Sequence, residues 1–467
     1  MTPIPAIVDS AIRIHRHAGP WRFQQAVVRA FEIDNPEYTE RRKMRRWTGG
    51  TDRKLQIAEY RDGHLVVPRG GVAKLLEVAE RYGVKPKFED RRFPGQAPPP
   101  RSCWPQVKAY LRDYQLTAVH RAKTNLQGLI VGPCGCGKTT IGAGLIARLD
   151  TPCIVLVHTR DLVSQWVDRI ETKLGLNVGI VGGGEHELRP VTVATVQTLV
   201  QMEANDRRRL AQHFGLAILD EAHHSPAVSF REILGLFPAR YRVGLTATPT
   251  RSDGLTDVMF WAIGRTLHTI THQRLIACGH LEAPRVLPVR TEFRYPKPRN
   301  GKERRGWWNR VMNALIADPV RNDQICQIVQ REYQGGHVVL VLSGRVDHCD
   351  RLAKLLNGRG VPAMAMTGQT PKKKRQQILD DVRSGHLRVV CGGNVADEGL
   401  DLPSLSRIVQ AFPGKAESKA IQRLGRLMRP SPGKPQAVLF DLVDHHIPTC
   451  RKQWNMRRKA YQAAFGG

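Results

Sequence analysis

The sequence lacks the features that would place the protein outside the cell or in a membrane. No run approaches the ~18 consecutive apolar residues that a membrane-spanning helix needs. The N-terminal segment 1–19 has neither a long apolar core nor a small-residue cleavage site. We therefore expect a protein that is neither secreted nor membrane-spanning, in the cytoplasm.

Cysteine pairs with metal-site or redox spacing are also missing. The nine cysteines are odd in number, form no C-x-x-C, and have no histidine pair at finger spacing near them. This excludes a disulfide framework and gives no indication of a structural zinc site. It fits a reducing compartment.

Acidic residues are few relative to basic ones. Asp and Glu number 42 against 72 Lys and Arg, a net charge of +30. Such a charge favours a polyanionic partner, nucleic acid first. The alternative is an arginine-biased genome, in which the composition follows base content rather than function.

Composition divides the chain into segments. The stretch FPGQAPPPRS replaces periodic apolar residues with Pro and Gly and predicts a linker, 93–104. Before it, 1–92 is predicted as a small α+β domain: KLQIAEY and HLVVP as strands joined around Asp62 and Gly63, and VAKLLEVAERYG as a helix ended by Gly83.

Beyond the linker, short apolar runs such as GLIV, CIVLV, LAILD and VVLVL alternate with helical patterns. This alternation is typical of parallel sheets covered by helices. Its length of ~340 residues exceeds one sheet, so we predict two α/β lobes, 105–282 and 283–445. A basic and aromatic tail, 446–467, follows. No internal repeat of fixed period is present.

The strongest motif is VGPCGCGKTT, which matches G-x-x-x-x-G-K-[ST] between an apolar run and a helical pattern. In such a loop the glycines turn backbone N–H groups toward phosphates, a lysine reaches the β- and γ-phosphates, and a hydroxyl ligates Mg²⁺. The predicted ATP-binding residues are Gly132, Pro133, Cys134, Gly135, Cys136, Gly137, Lys138, Thr139 and Thr140. The two cysteines are interpreted as small filler.

A second motif, LAILDEAHH, places Asp220 and Glu221 at the carboxyl end of an apolar run. Ligands of parallel sheets bind at those ends, so Asp220 is predicted to hold Mg²⁺ together with Thr139, and Glu221 to activate water. Alone, such a pair is often a solvated strand end. Combined with the phosphate loop it predicts a hydrolysis site.

DEAHH, GLTATPTR and QRLGRLMR together resemble motifs of the superfamily 2 helicases and translocases, most of all the XPB-like group with its phage recombination helicases and restriction motors. The resemblance covers 105 to about 445 and implies two RecA-like lobes. It also implies that ATP bridges the lobes, and that hydrolysis releases them to step along a strand.

The resemblance assigns further roles by motif. Asp113 and Gly393 stand where the family often has proline and threonine. The implied adenine contacts are Gln115 and Arg112; the ribose and interface contacts, Gly399 and Asp401; the coupling residues, His223, Thr246 and Thr248; the second-lobe catalytic residues, Gln422, Arg426 and Arg429; the nucleic-acid contacts, Thr195, Gln197 and Arg345.

Three segments outside these motifs, ERRKMRRW, KERRGWWNR and RKQWNMRRKAY, combine basic side chains with rings. That combination predicts nucleic-acid contact through Arg45, Trp47, Arg305, Trp307 and Trp308. The alternative is solvated loops and a tail that packs Trp454 and Tyr461 on a lobe.

The leading hypothesis is an ATP-dependent DNA helicase or translocase that acts on branched, duplex or single-stranded DNA in repair, recombination or replication, with ATP and Mg²⁺ as cofactors. Replication or recombination proteins are candidate partners. An RNA helicase, the motor subunit of a nuclease or restriction assembly, and a nucleotide-gated DNA-binding scaffold remain as alternatives. No P-D-x(n)-[DE]-x-K pattern is present, so cleavage would require another chain.

Overall fold

The computed structural model describes residues 1–95, 103–222, 232–250, 253–298, 305–393, 404–414, 428 and 434–465. The chain forms two compact units, Met1–Gly132 with Gly137–Ile270, and Thr271–Gly467 with Pro133–Cys136. No described helix has the length and apolar character needed to cross a bilayer.

The N-terminal part of the first unit is a small α+β structure. Its main sheet has the order β5-β6-β2-β1-β7, and β3 pairs with β4 separately. The strands are β1 Thr2–Val8, β2 Ala11–His15, β3 Glu32–Asp34, β4 Lys54–Gln56, β5 Glu59–Arg61, β6 His64–Pro68 and β7 Val84–Asp90; the helices are α1 Trp21–Ala30, α2 Pro36–Lys43 and α3 Val72–Arg81.

The predicted hairpin is confirmed, with one correction. Strands β5 and β6 are antiparallel, and the two residues between them have φ of 48° at Asp62 and 73° at Gly63, the left-handed pair that a tight hairpin requires. KLQIAEY, however, is two strands. Ile57 and Ala58 leave the ladder to enter the core, at 6% and 0% exposure.

The rest of the first unit is an α/β layer structure around one sheet of order β11-β10-β12-β9-β13-β14-β8-β15, parallel apart from the β10 and β11 pair. Its strands are β8 Gln127–Val131, β9 Cys153–Val157, β10 Gly179–Gly182, β11 Glu185–His186, β12 Val191–Thr195, β13 Leu216–Asp220, β14 Tyr241–Thr246 and β15 Thr266–Thr269. The described helices are α4 Trp104–Tyr110, α5 Asp113–Asn125, α6 Lys138–Leu149, α7 Arg160–Leu174, α8 Val196–Gln201, α9 Ala204–Ala211 and α10 Thr256–Ile263.

The central strands are buried along their whole length, as expected where helices cover both faces of a parallel sheet. This is why the apolar runs CIVLV and LAILD coincide with β9 and β13.

The N-terminal structure packs directly onto this sheet's helical layer. Trp261 of α10 lies edge-on against Phe31, with ring centroids 4.9 Å apart, within the N-terminal core. The fully buried guanidinium of Arg242 on β14 donates to the carbonyls of Ser10, Leu234, Phe237 and Ala262. The two parts of the first unit therefore share a core.

The described start of the predicted linker is also bound to this layer. The N–H of Phe93 donates to the carbonyl of Pro238, and the carbonyl of Phe93 accepts from Arg240, both at 2.8 Å. Residues 96–102 lie outside the described residues. The chain begins the linker paired to this layer by a single parallel bridge between Phe93 and Ala239.

The second unit is a parallel α/β layer structure of sheet order β16-β21-β20-β17-β19-β18. Its strands are β16 Arg285–Arg290, β17 Val338–Leu342, β18 Ala363–Met366, β19 Val389–Gly392, β20 Leu405–Gln410 and β21 Val438–Val443. The described helices are α11 His272–Ala277, α12 Trp307–Ala317, α13 Pro319–Gln334, α14 Val346–Asn357, α15 Lys372–Arg383 and α16 Pro448–Phe465.

The tail predicted at 446–467 is helix α16, and it packs on this sheet. Arg457, 3% exposed, donates two hydrogen bonds to buried Asp441 at 2.6 and 2.9 Å, and the Tyr461 hydroxyl donates to the same carboxylate at 3.1 Å. Tyr461 is buried and Trp454 half-buried beside it. The packing alternative is therefore confirmed for the tail.

Candidate functional site

The sheet of the first unit brings the predicted nucleotide motifs together at its carboxyl edge. Strands β13, β14 and β8 are neighbours, and the acidic pair, the GLTATPTR segment and the phosphate loop follow them in that order. Strands β9 and β12 continue the same edge on one side, and the predicted nucleic-acid contacts Thr195 and Gln197 lie at the end of β12 and just after it. The parallel topology thus places the predicted nucleotide site and the predicted first-lobe nucleic-acid contacts along the same edge of the sheet.

The phosphate loop has the backbone that its glycines predict. Gly135 and Gly137 have φ of 89° and 78°, a left-handed region that glycine enters without strain. Gly137 is the N-cap of α6, which begins at Lys138 without a side-chain cap. The helix N-terminus therefore offers backbone donors to an anion. Thr139 and Thr140 are half-buried in the first turn.

The cysteines of the loop are free thiols. Cys136 is fully buried, whereas Cys134 is partly exposed. Cys136 donates its backbone N–H to the carbonyl of Pro133 at 3.2 Å, and this hydrogen bond closes a turn in the loop backbone. This agrees with their interpretation as small filler.

Gln115, the predicted adenine contact, lies against the phosphate loop. It is 4% exposed, its Oε1 accepts from the Arg112 N–H at 3.0 Å, and a methyl group on Gly137 would overlap its side-chain amide. Arg112 donates to the Tyr114 hydroxyl at 3.1 Å. Asp113 begins α5, where a negative charge favours the helix N-terminus. Adenine recognition by Gln115 stays a prediction.

The acidic pair is tightly held. Asp220 is 5% exposed; its Oδ1 accepts from the Glu221 N–H at 3.0 Å and its Oδ2 from the Trp166 indole N–H at 2.8 Å. Burial and, next, the charge of Glu221 raise the pKa of Asp220 to about 6. Glu221 has φ of 48°, a conformation that costs a non-glycine residue on the order of 1 kcal/mol or more.

Lys138 connects the loop to the acidic pair. Its Nζ lies 3.1 Å from Oε1 of Glu221, with side-chain exposures of 11% and 20%, and it donates to the carbonyl of Gly132 at 3.5 Å. The lysine predicted to bind phosphate and the predicted base are therefore adjacent.

These groups suit a nucleotide with a divalent metal. The Thr139 hydroxyl and the Asp220 carboxylate are hard oxygen donors, the kind that Mg²⁺ prefers. The left-handed glycines, the N-terminus of α6 and the Lys138 ammonium are the donors that bind phosphate oxygens.

The predicted coupling segment contacts the phosphate loop. Thr246 is fully buried; its hydroxyl donates to the Thr248 carbonyl at 2.8 Å and accepts the Thr248 N–H at 3.2 Å. Its own carbonyl accepts from the Gly132 N–H at 2.9 Å. A change in the loop can therefore reach this turn through one hydrogen bond.

Two predicted nucleic-acid contacts lie in the first lobe. The Thr195 hydroxyl caps α8 by accepting the Thr198 N–H at 3.3 Å, and Thr195 is only 5% exposed. Gln197 is exposed and donates to the carbonyl of His158 at 2.8 Å. Thr195 thus has the capping role that its residue type allows, and phosphate contact by either side chain stays a prediction.

The basic segment at the end of α2 is open to solvent. Trp47 is 78% exposed, and Arg45 is exposed with φ of 53°. Gly49 lies under the Trp47 ring, where any side chain would overlap it. An indole held outward among arginines is available to stack on a base.

The aromatic pair of the second unit is different. Trp307 and Trp308 are half-buried against a small core with Val311 and Leu315, and the Trp307 indole donates to the Pro296 carbonyl at 2.8 Å. Their geometry supports packing, and base stacking by them stays a prediction. Arg305 is exposed beside them.

Arg345 is half-buried at the start of α14, and its N–H donates to Ser343 Oγ at 3.3 Å. Six predicted residues lie outside the described residues: His223, Gly399, Asp401, Gln422, Arg426 and Arg429.

Sequence reasoning missed Trp166, which contacts the predicted metal ligand, and Arg242, which joins the two parts of the first unit. Trp166 lies in LVSQW, where its helical spacing from Val163 and Ile170 indicated only a core position. Arg242 precedes the GLTATPTR motif on β14, and an arginine in an otherwise apolar strand was the available signal.

A second polar cluster lies in the second unit. Glu292, His445 and His446 place potential ligand atoms within 4.8 Å of one another. The Arg294 guanidinium, however, lies 3.3 Å from His446 Nε2 and 3.9 Å from the Glu292 carboxylate. A cation already faces these groups, so we assign them to an ion-pair cluster.

Comparison with known proteins agrees with this arrangement. Residues 108–251 match the family model described as type III restriction enzyme, res subunit, and residues 320–431 match the helicase conserved C-terminal domain. The first match includes the phosphate loop and the acidic pair, and the second includes the QRLGRLMR segment.

Curated relatives and solved structures extend the comparison. The DNA 3'-5' translocase XPB2 of Sulfurisphaera tokodaii is 27% identical over 72% of this chain and 82% of its own length. The DNA 3'-5' helicase XPB of Mycobacterium tuberculosis is 28% identical over 71% of this chain, which spans 60% of that relative. The Hef helicase domain of Pyrococcus furiosus has a similar fold, with a TM-score of 0.52 at 16% identity over 75% of this chain and 99% of that structure.

The sheet topologies, the phosphate loop with its acidic pair, and both domain matches lead to one conclusion. The chain belongs to the superfamily 2 helicases, with two RecA-like lobes and an N-terminal α+β part.

Proposed function

We propose that this chain is a DNA-dependent ATPase that couples hydrolysis to movement along DNA, or to remodelling of branched or duplex DNA. The observation that carries the proposal is the 3.1 Å contact of Lys138, at the start of α6, with Glu221 beside the buried Asp220. The relatives named as DNA 3'-5' translocase and helicase support DNA as the substrate and 3'-to-5' movement. The charge of +30 supports a polyanion.

The residues of the first lobe have distinct tasks. Lys138 leaves Glu221 for the β- and γ-phosphates when nucleotide binds, and Glu221 is then placed to accept a proton from the attacking water. Asp220 and Thr139 would hold Mg²⁺, which would supply positive charge beside the phosphate oxygens. Arg426 and Arg429 are proposed to stabilise that charge from the second lobe, and Gln422 to act with them.

The same contacts suggest how hydrolysis reaches the nucleic acid. The Gly132 N–H bonds the carbonyl of Thr246, so a movement of the loop at phosphate release shifts the Thr246 to Thr248 turn. Along the same edge of the sheet, Gln197 is exposed on α8 and bonds His158 of the loop after β9. We propose that these loops grip and release the DNA backbone.

The test is a measurement of phosphate release by the full chain with and without DNA. We expect stimulation by DNA, loss of nucleotide binding in Lys138→Ala, and loss of hydrolysis with retained binding in Glu221→Gln. Lys108→Ala and Glu171→Gln remove the same charges from exposed positions and should behave as the parent protein. Undiminished hydrolysis in both site variants would refute the assignment.

The substrate is tested by a panel of single strands, forks, Holliday junctions and duplexes of DNA and RNA at matched length. Stimulation by RNA alone would favour the RNA helicase. Binding of DNA without hydrolysis would favour the nucleotide-gated scaffold. Strand displacement from substrates with a 3' or a 5' overhang measures the direction of movement, and 5'-to-3' unwinding would contradict the proposed polarity.

A further inference from the structure

The Trp166 side chain is held in one position by packing between two helices of the first lobe. It lies on the buried face of α7 with Val163 and Ile170 and is 1% exposed. A methyl group on Gly142 of α6 would overlap the far edge of its ring. The indole therefore fits between the two helices only because residue 142 has no side chain.

That position directs the one polar atom of the ring at Asp220. The indole N–H donates to Oδ2 at 2.8 Å in a buried setting, while the Glu221 N–H donates to Oδ1 at 3.0 Å. Each carboxylate oxygen thus has a fixed donor, and together they set the plane of the carboxylate. Hydrogen bonds to an ionised group are the strong ones, and at 5% exposure of Asp220 little water is available to replace them.

We propose that Trp166 is a positioning residue for the divalent metal, and that its N–H orients Asp220 so that the remaining lone pairs face the ion. The inference rests on the proposed function, in which Asp220 is a metal ligand. Partners that orient a ligand typically contribute about 10–100-fold to metal affinity. A residue that only fills space between α6 and α7 would contribute to stability and leave metal affinity unchanged.

The experiment measures Mn²⁺ binding to the ADP-loaded full chain by electron paramagnetic resonance, since Mn²⁺ replaces Mg²⁺ at such oxygen sites. Trp166→Phe keeps a ring and loses the N–H. We expect its Mn²⁺ affinity to fall by about 10–100-fold. Gly142→Ala keeps every hydrogen-bonding group but displaces the ring, and a similar fall is expected.

Trp261→Phe is the matched control, because Trp261 is also buried in the first unit but packs against Phe31. Its Mn²⁺ affinity should equal that of the parent protein. Melting temperatures of all variants separate folding from binding. Parental Mn²⁺ affinity in Trp166→Phe, at any melting temperature, would overturn the inference.

A double-mutant cycle separates this inference from the proposed function. If Trp166 acts through Asp220, Trp166→Phe has no further effect on Mn²⁺ affinity once Asp220→Asn is present. Additive losses would overturn the positioning role. Parental Mn²⁺ affinity in Asp220→Asn alone would instead refute Asp220 as the metal ligand, and with it this part of the proposed function.

Discussion

Lys138 Nζ lies 3.1 Å from Glu221 Oε1, so the side chain predicted to bind phosphate and the side chain predicted to activate water form an ion pair. Both are mostly buried, and each offsets the charge of the other. We therefore predict that nucleotide binding exchanges this ion pair for contacts to phosphate, and that occupancy of the site releases Glu221.

This exchange predicts opposite effects on binding and hydrolysis in one variant. Glu221→Gln removes the charge that competes with phosphate for Lys138, so ATP affinity should be equal to or higher than that of the parent protein. Loss of a general base should slow hydrolysis by about 10²–10⁴-fold. Titration with a fluorescent ATP analogue and single-turnover phosphate release measure the two effects, and weaker ATP binding would contradict the exchange.

The pKa of Asp220 predicts a pH dependence of stability. Burial raises this pKa from 3.8 to about 6, so the folded protein holds the proton more tightly than the unfolded chain. The ionised carboxylate therefore destabilises the fold above pH 6, and this effect disappears as the pH falls toward 4. The stability of Asp220→Asn relative to the parent should be highest above pH 7 and decrease between pH 6 and 4. Melting temperatures of both proteins without metal measure it, and a constant difference would contradict the shift.

Arg457 is predicted to be essential to the fold of the second unit. Burial raises the pKa of Asp441, and the guanidinium of Arg457 compensates its charge. Arg457→Met leaves this carboxylate with the Tyr461 hydroxyl and should destabilise the protein by about 3–5 kcal/mol. Urea unfolding measures the change. Arg458→Met alters the exposed neighbour and should remain within about 0.5 kcal/mol; equal effects of both variants would contradict the prediction.

Gly70 is predicted to control the attachment of the N-terminal part. A methyl group there would overlap the carbonyls of Phe260 and Trp261, which are backbone atoms of α10 and cannot rotate away. Gly70→Ala should therefore destabilise the first unit by about 1–3 kcal/mol and increase proteolysis between its two parts. Gly414→Ala, at a position with no atom within 4 Å of the added methyl, serves as the control. Unchanged proteolysis of Gly70→Ala would show that the interface tolerates the methyl group.

Trp47 is predicted to contact nucleic acid without a role in folding. At 78% exposure its removal should leave the melting temperature unchanged, while affinity for single-stranded DNA should fall by about 1–3 kcal/mol, the usual contribution of one stacked base. Fluorescence anisotropy measures the affinity. Trp21→Ala removes another exposed indole, which stacks on Tyr60, and should have little effect on DNA binding. Equal losses in both variants would argue against a specific contact.

Sequence reasoning succeeded for elements whose residue pattern directly reflects their conformation or burial in the folded protein. Strands β9, β13 and β17 match the apolar runs CIVLV, LAILD and VVLVL residue for residue, because strands buried on both faces of a parallel sheet need apolar residues throughout. The Asp62 and Gly63 turn was equally readable, since few residues adopt left-handed φ. Sequence reasoning failed for KLQIAEY, which was predicted as one strand. Ile57 and Ala58 interrupt the strand pairing there, and both side chains are buried in the core.

Segments that interleave basic and aromatic residues can contact nucleic acid or pack against the protein, and composition does not distinguish the two roles. In the N-terminal segment Trp47 is exposed, whereas Trp307 and Tyr461 are packed with their polar atoms bonded to Pro296 and Asp441. Whether such a side chain is buried depends on what its segment packs against in the folded protein, and this is set by the whole chain.

The chemistry of the protein could be predicted from its residues alone: a phosphate loop, an acidic pair after an apolar strand, and a charge suited to nucleic acid. These depend on residue type and short spacing, which local geometry fixes. Three contacts became evident only in the folded structure: Trp166 with Asp220, Lys138 with Glu221, and Arg242 with the N-terminal part. Each of these joins residues 54 to 232 positions apart, and such contacts form only when parallel strands and their helices bring distant segments to the same place.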